Sequence, residues 1–273
     1  MASRARAVLV VLCAIATTAC DGDGGVTIAP KVPLAYTRFV NAVSDTGATD
    51  WRFIDQIENS PVVFGLSFRG FTPYQATARG ARHLRVFPTS TNIDVTSKFL
   101  IDTILSFDAD TYYTIVHFGF ARAGQSPKHQ IVVFKDSIPA LGDVKVGVRA
   151  VNLAVGLGPV DLFASAAGGN TTLPAAPLFA GVSVGASTAY ASLDVGGLAL
   201  RVTNQSARDP ILVDATAPTG QPADPTLNLT AIGGSLLGRS VMSALLMPRS
   251  VPGSAATSFA SPGLVFLIDR HPR

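Results

Sequence analysis

The chain has 273 residues, 48% of them hydrophobic, with 21 Lys and Arg against 18 Asp and Glu. Two of the basic residues, Arg4 and Arg6, belong to a leader, and without them 19 basic residues face 18 acidic ones. A body so nearly neutral gives no charge basis for a polyanion partner, and no nucleic acid is expected. Both cysteines, Cys13 and Cys20, fall in the first twenty residues, which excludes a disulfide scaffold for the rest.

The opening residues carry the clearest signal. Arg4 and Arg6 precede an apolar run over residues 8–16, and Thr17-Thr18-Ala19-Cys20 follows it directly. A helix rises about 1.5 Å per residue and needs about twenty residues to cross the hydrocarbon core, so this run is too short to span. A positive segment, a short apolar segment and a small-residue cleavage site define a secretory leader. Ordinary secretion has no use for a cysteine at the cut, whereas lipid attachment needs its thiol. The segment resembles the lipobox of bacterial lipoproteins, with Thr17 at the position that is usually Leu. The expectation is a signal peptide over residues 1–19 and acylation, including palmitate, at Cys20. Two or three acyl chains, at about 0.8 kcal/mol per buried methylene, anchor a protein stably.

Residues 20–33 hold Asp21-Gly22-Asp23-Gly24-Gly25, Pro30 and Pro33 with no apolar periodicity, and are read as a tether. From Leu34 the chain is written in short β-branched and aromatic runs broken by Gly, Pro, Asp and Asn. Strands are expected over 36–43, 49–54, 62–68, 82–87, 99–107, 112–120, 130–136 and 264–269, and no long window has a helical period.

The chain repeats itself. Arg38, Asn41, Gly47 and Asp50 match Arg149, Asn152, Gly158 and Asp161 at an offset of 111; Tyr74, Leu84, Arg85 and Val86 match Tyr190, Leu200, Arg201 and Val202 at 116. Thr114 pairs with Thr230 at that second offset. Two copies of one unit are therefore expected, residues 34–142 and 143–273, meeting near Gly142-Asp143. The Pro, Ser and Ala-rich stretch 248–263 reads as a surface loop of the second copy. The fold class is all-β: two tandem immunoglobulin-like antiparallel β-sandwich modules after a signal peptide and tether.

The run Arg38-Phe39-Val40-Asn41-Ala42-Val43-Ser44-Asp45-Thr46-Gly47-Ala48-Thr49-Asp50 resembles the opening of bacterial cell-envelope proteins with domain of unknown function 4397. Ala109-Asp110-Thr111-Tyr112-Tyr113-Thr114 resembles their later hairpin. The resemblance implies a lipid-anchored or surface-exposed protein with an immunoglobulin-like domain, and it carries over no catalytic residue.

Site chemistry is sparse in the sequence. Asn41 with Asp50, and Asn152 with Asp161, are read as turn-stabilising side chains rather than a paired cation site. Asp108-Ala109-Asp110 reads as a hairpin turn. His83, His117, His129 and His271 have no metal-ligand spacing, so neither a metal nor a cofactor is expected; His117 is read as a hydrogen-bonded imidazole at a sheet surface. Between Glu58 and Asp94 no acid occurs, whereas Arg69, Arg79, Arg82 and Arg85 do. Guanidinium forks suit phosphate and carboxylate, making these four a candidate anionic-partner patch; a solvated sheet face that protects an edge strand is the alternative.

The expected function is a lipid-anchored protein of the bacterial envelope, facing the periplasm or exterior, with a non-catalytic binding or structural role. Its partners are the membrane, through acyl chains on Cys20, and an envelope polymer or protein. The alternative is a hydrolase with its site in the cleft between the modules.

Overall fold

The computed structural model describes residues 32–55, 62–169 and 172–272. The residues from Pro33 onward form one compact unit. The leader, Cys20 and all but the last two tether residues lie outside the described residues.

Elements β1 Leu34–Val43, β2 Thr49–Phe53, β3 Val62–Leu66, β4 Gln75–Ala78 and β5 Gly80–Pro88 lead to a four-residue helix, α1 Ile93–Thr96. Strands β6 Ile101–Phe107, β7 Tyr112–Gly119 and β8 Gln130–Lys135 complete the first module. The second runs through β9 Lys145–Asn152, β10 Val160–Ala166, β11 Phe179–Val182, β12 Ala191–Asp194, β13 Leu198–Asn204, β14 Val213–Thr216, β15 Val241–Met247 and β16 Gly263–Arg270.

Each module is a sandwich of two four-stranded sheets. The first has the orders β4-β1-β7-β8 and β3-β2-β5-β6, and the second repeats them as β12-β9-β15-β16 and β11-β10-β13-β14. No sheet crosses between modules. Pairing is antiparallel except for one parallel pair in each module, β1 with β7 and β9 with β15.

The repeat is legible in the register. Trp51 faces Val86 as Leu162 faces Val202, and Phe53 faces Leu84 as Ala164 faces Leu200. The match of Thr114 to Thr230 does not survive. Thr114 sits beside Arg38 in β7, and the residue beside Arg149 in β15 is Ser243. The register moves because residues 217–240 replace the short 108–111 connection, and Thr230 lies inside that longer segment. Residues 108–111 also do not close a hairpin: they carry the chain from the β6 sheet to the β7 sheet.

Alternation explains three cores. Inward residues of the first module, among them Phe39, Trp51, Phe53, Leu84, Phe107 and Ile115, form one cluster, and Val148, Leu162, Leu200 and Met242 anchor its counterpart. The opposite faces of β1, β7, β9 and β15 meet in a third cluster of Val40, Ala42, Val116, Phe118, Val151, Leu153, Leu245 and Met247. These strands are therefore buried on both faces and carry apolar residues on both, interrupted by buried polar ones such as Arg38, Thr114, Arg149 and Ser243. Burying a Val or Leu side chain contributes about 1.5–3 kcal/mol.

Residues 248–262 are not a free surface loop. They fold back onto the first module, where Val251 N donates to Ser44 O at 2.8 Å and Arg122 Nη2 donates to Gly253 O at 2.9 Å.

Candidate functional site

Beside the apolar seam lies a charged one. Arg38 Nη2 is 2.6 Å from an oxygen of Asp269, and Arg149 Nη2 is 2.5 Å from one of Asp136, with all four side chains at most 3% exposed. Each pair joins an arginine of one module to an aspartate of the other. Arg38 Nε donates to Thr114 Oγ1 at 2.8 Å, and Arg149 Nε donates to Ser243 Oγ at 2.7 Å. Thr114 and Tyr74 hydroxyls donate to Asp136 at 2.6 and 2.7 Å; Ser243 and Tyr190 hydroxyls donate to Asp269 at 2.7 and 2.8 Å. The Arg38 guanidinium lies 4.6 Å from the Tyr74 ring centre, and that of Arg149 lies 5.0 Å from Tyr190. Contacts that map onto themselves when the modules are exchanged are those of an isologous interface. Burial raises the pKa of both tyrosines above the phenol range, so they remain donors. Burial opposes the charge of Arg149, but Asp136, Tyr190 and Asp269 outweigh it and hold the guanidinium above its ordinary value.

The starts of β1 and β9 lie at one end of the molecule, where Tyr112, the neighbour of Tyr36, shares a cleft with Arg239, whose amide donates to Lys145 O. There Pro33 O accepts from Arg79 N and Leu34 O accepts from Asp110 N. Tyr36 stacks on Tyr112 with ring centres 4.7 Å apart. Tyr112 then lines a cleft of about 450 Å³ with Arg239, Arg270 and His271. His271 also borders a larger cleft, about 810 Å³, whose walls include Pro222, Leu229, Ile232 and Leu237 from the 217–240 segment. His271 Nδ1 accepts from Gly233 N at 2.9 Å and ties that segment to the end of β16. At the opposite end of the seam a cleft of about 430 Å³, lined by Phe120, Val155, Leu157, Pro248 and Val251 among others, contains no His, Asp or Glu.

The four arginines of the candidate patch are not held together. Arg69 turns to the second module, donating to Pro248 O at 2.7 Å and Ser261 O at 2.6 Å with its guanidinium 4.1 Å from the Phe259 ring centre. Burial lowers its pKa. Arg79 is exposed at the Leu34 end. Arg82 donates to the carbonyls of Ala78 and Arg79 and lies 3.5 Å from Asp55. Arg85 Nε is 2.9 Å from Asp102, which His83 also contacts, and the pKa of Asp102 is lowered first by the His83 bond and then by Arg85. The acid-free stretch of sequence is thus met by Asp55 and Asp102 from the neighbouring strands. The Arg85 pair recurs in the second module, where Arg201 Nε is 2.9 Å from Asp214.

Residues 35–163 match the model of a domain of unknown function, DUF4397. A search of the curated proteins returns no match. The DUF4397 match takes in β2 to β9, nearly all of β1 and the first part of β10. It therefore contains Arg38, Thr114, Asp136 and Arg149 but stops short of Ser243 and Asp269. The resemblance read from residues 38–50 and 109–114 lies wholly inside it.

Within the DUF4397 match, the recurrent Asn and Asp residues hold backbone. Asn41 Nδ2 donates to Leu66 O at 2.9 Å and Asn152 Nδ2 donates to Val182 O at 2.9 Å. Asp50 accepts from Gly65 N at 2.8 Å and Asp161 accepts from Gly181 N at 2.6 Å. Both glycines have positive φ, 65° and 58°, the left-handed conformation that puts the amide on the carboxylate.

His117 is not at a sheet surface. It is completely buried in the first module, its ring 5.9 Å from Trp51 edge-on, and its Nε2 is 2.9 Å from His129 Nδ1. Burial, aided by His129, pushes its pKa down to about 3. Burial and Lys128 lower that of His129 against a smaller opposing effect of Asp45. The pair gathers no further ligand, and no cluster of three or more His, Cys, Asp or Glu suited to a metal occurs among the described residues. Sequence reasoning missed Asp136 and Asp269; Asp136 directly follows β8, and Asp269 is the last residue but one of β16.

Proposed function

We propose that this chain is a lipid-anchored protein of the bacterial cell envelope whose two-module body has a binding or structural role without catalysis. One observation carries the reading: a basic and apolar leader that ends in Thr17-Thr18-Ala19-Cys20, thirteen residues ahead of a folded body that begins at Pro33. The use made of the polar side chains supports it. Asp136, Asp269, Arg38 and Arg149 lock the modules together, and Asp50 and Asp161 hold turns, so each of these acids already serves the fold. In the seam where a hydrolytic site was considered, the apolar cluster and the four charges take the centre, and a cleft of about 420 Å³ beside them is lined by Arg38, Tyr74, Asp269 and His271.

Metabolic labelling with a palmitate analogue tests the anchor. Wild type is expected to incorporate label and the Cys20→Ala chain to incorporate none; unlabelled wild type recovered with residues 1–19 intact overturns the reading. A pull-down from envelope extract then identifies the polymer or protein that the body holds.

A further inference from the structure

The 217–240 segment presents Leu227, Leu229, Ile232 and Leu236 to solvent at 45–66% exposure. Its counterpart in the first module is the four-residue connection 108–111, so this apolar excursion belongs to the second module alone. It is a built feature rather than a loose loop. Gln221 and Ile232 exchange backbone hydrogen bonds at 2.9 and 2.8 Å, Asp224 and Leu229 at 3.0 and 2.9 Å, and Asp224 also accepts from Thr226 N at 2.9 Å. Gly234 is closed against Gly220, where a Cβ would lie 2.1 Å from the Gly220 amide, so the two passing backbones leave no room for a side chain. A framework that holds four large aliphatic side chains outward has a use for them, because contiguous exposed apolar surface marks a contact site.

Position decides what the contact is. The excursion lies at the end of the molecule where β1 begins, linked through Tyr36, Tyr112 and His271 as described above. Pro33 is thirteen residues from Cys20, and thirteen residues reach at most about 45 Å even fully extended. An acyl group on Cys20 thus keeps this end within that reach of the bilayer, where a weak apolar contact gains the high effective concentration of a tethered site. Arg79 is exposed at the same end, where a cationic side chain suits the phosphates of the lipid–water boundary, and Arg239 there is paired with Asp143.

We infer that the 217–240 excursion is a membrane-docking surface, with Leu229 and Ile232 entering the headgroup and acyl boundary of the bilayer that carries the Cys20 lipid. The inference rests on the anchored reading and goes further: the protein lies down on its membrane in one orientation instead of hanging free from it.

The test uses the full chain, isolated from cells and mixed with phosphatidylglycerol–phosphatidylethanolamine vesicles whose acyl chains are brominated at the upper positions. Tryptophan is placed at Leu229 in one protein (L229W) and at the more exposed Ile104 of β6 in another (I104W), with Trp51 common to both. A side chain that sits at the boundary approaches the bromines, so L229W is expected to be quenched about threefold more than I104W or better. Pairing L229W with Ile232→Asp is expected to remove that difference. Equal quenching of L229W and I104W overturns the inference, as does a lipid-independent, concentration-dependent shielding of L229W, which would assign the surface to a second copy of the chain. Mass spectrometry and co-sedimentation report the anchor separately, and quenching is measured at excess lipid for whichever form is recovered. An unacylated protein that still shows the L229W difference sinks the anchor alone; an acylated one without it sinks the docking alone.

Discussion

Arg38 reaches across the seam to Asp269, 231 residues further along the chain, at 2.6 Å, and both side chains are all but inaccessible to water. Its mirror pair, Arg149 with Asp136, makes the two repeats one folding unit. Taking two charges out of water costs several kcal/mol each, and mutual attraction with added hydrogen bonds returns it only while both partners are present.

Removing one partner therefore leaves the other charged and buried. Arg38→Met is expected to destabilise the protein by about 3–5 kcal/mol, and the double change Arg38→Met/Asp269→Leu to recover most of that loss. Urea denaturation followed by far-ultraviolet dichroism checks this. Wild type is expected to unfold in a single transition, because the seam strands β1, β7, β9 and β15 each join the core of their own module to the cluster that the modules share.

His117 makes stability depend on pH in a known direction. It stays neutral in the fold down to about pH 3, while in the unfolded chain an imidazole titrates near 6.5. Between those values the unfolded state binds the extra proton, so stability falls as pH drops from about 6.5 towards 3, by at most about 1.4 kcal/mol per pH unit. His117→Gln is expected to flatten that dependence, as read from urea midpoints at pH 7, 6, 5 and 4. His129 adds a smaller effect of the same sign because it is partly exposed to water.

Equivalent turns are expected to respond equally. Gly65 and Gly181 share a left-handed backbone and an aspartate partner; a Cβ on Gly65 meets nothing within 4 Å, and one on Gly181 meets only the end of the flexible Gln205 side chain. Gly65→Ala and Gly181→Ala should each cost about 1–2 kcal/mol, the penalty of a Cβ in that conformation. Thermal unfolding of the two variants side by side checks the equivalence.

Arg69 pins the 248–262 arm to the first module. Arg69→Ala removes its donors to Pro248 O and Ser261 O and its stacking on Phe259, and the arm is expected to become the first site of cleavage in limited proteolysis. Arg85→Ala, which removes a water-screened cross-strand pair with Asp102 and a contact with the exposed Phe99 ring, should leave the cleavage pattern unchanged and the thermal midpoint nearly so.

The local pattern of the chain was enough for the all-β class, for eight of the strands to within a few residues, and for the repeat up to Val202. Each of those depends on neighbours in sequence: alternation, turn residues and a spacing that insertions had not yet altered. The short β4 escaped because four residues carry too little alternation. What tertiary structure alone decided is how the modules meet. Nothing near Asp136 or Asp269 in the chain marks them, since each finds its arginine in the other module. The same separation in sequence hid Asp55 and Asp102 beside the arginine-rich stretch, and it sent His117 inward to Trp51 and His129. A strand's sequence shows that its residues alternate between two faces; which of those faces another module will cover is set only when distant parts of the chain pack.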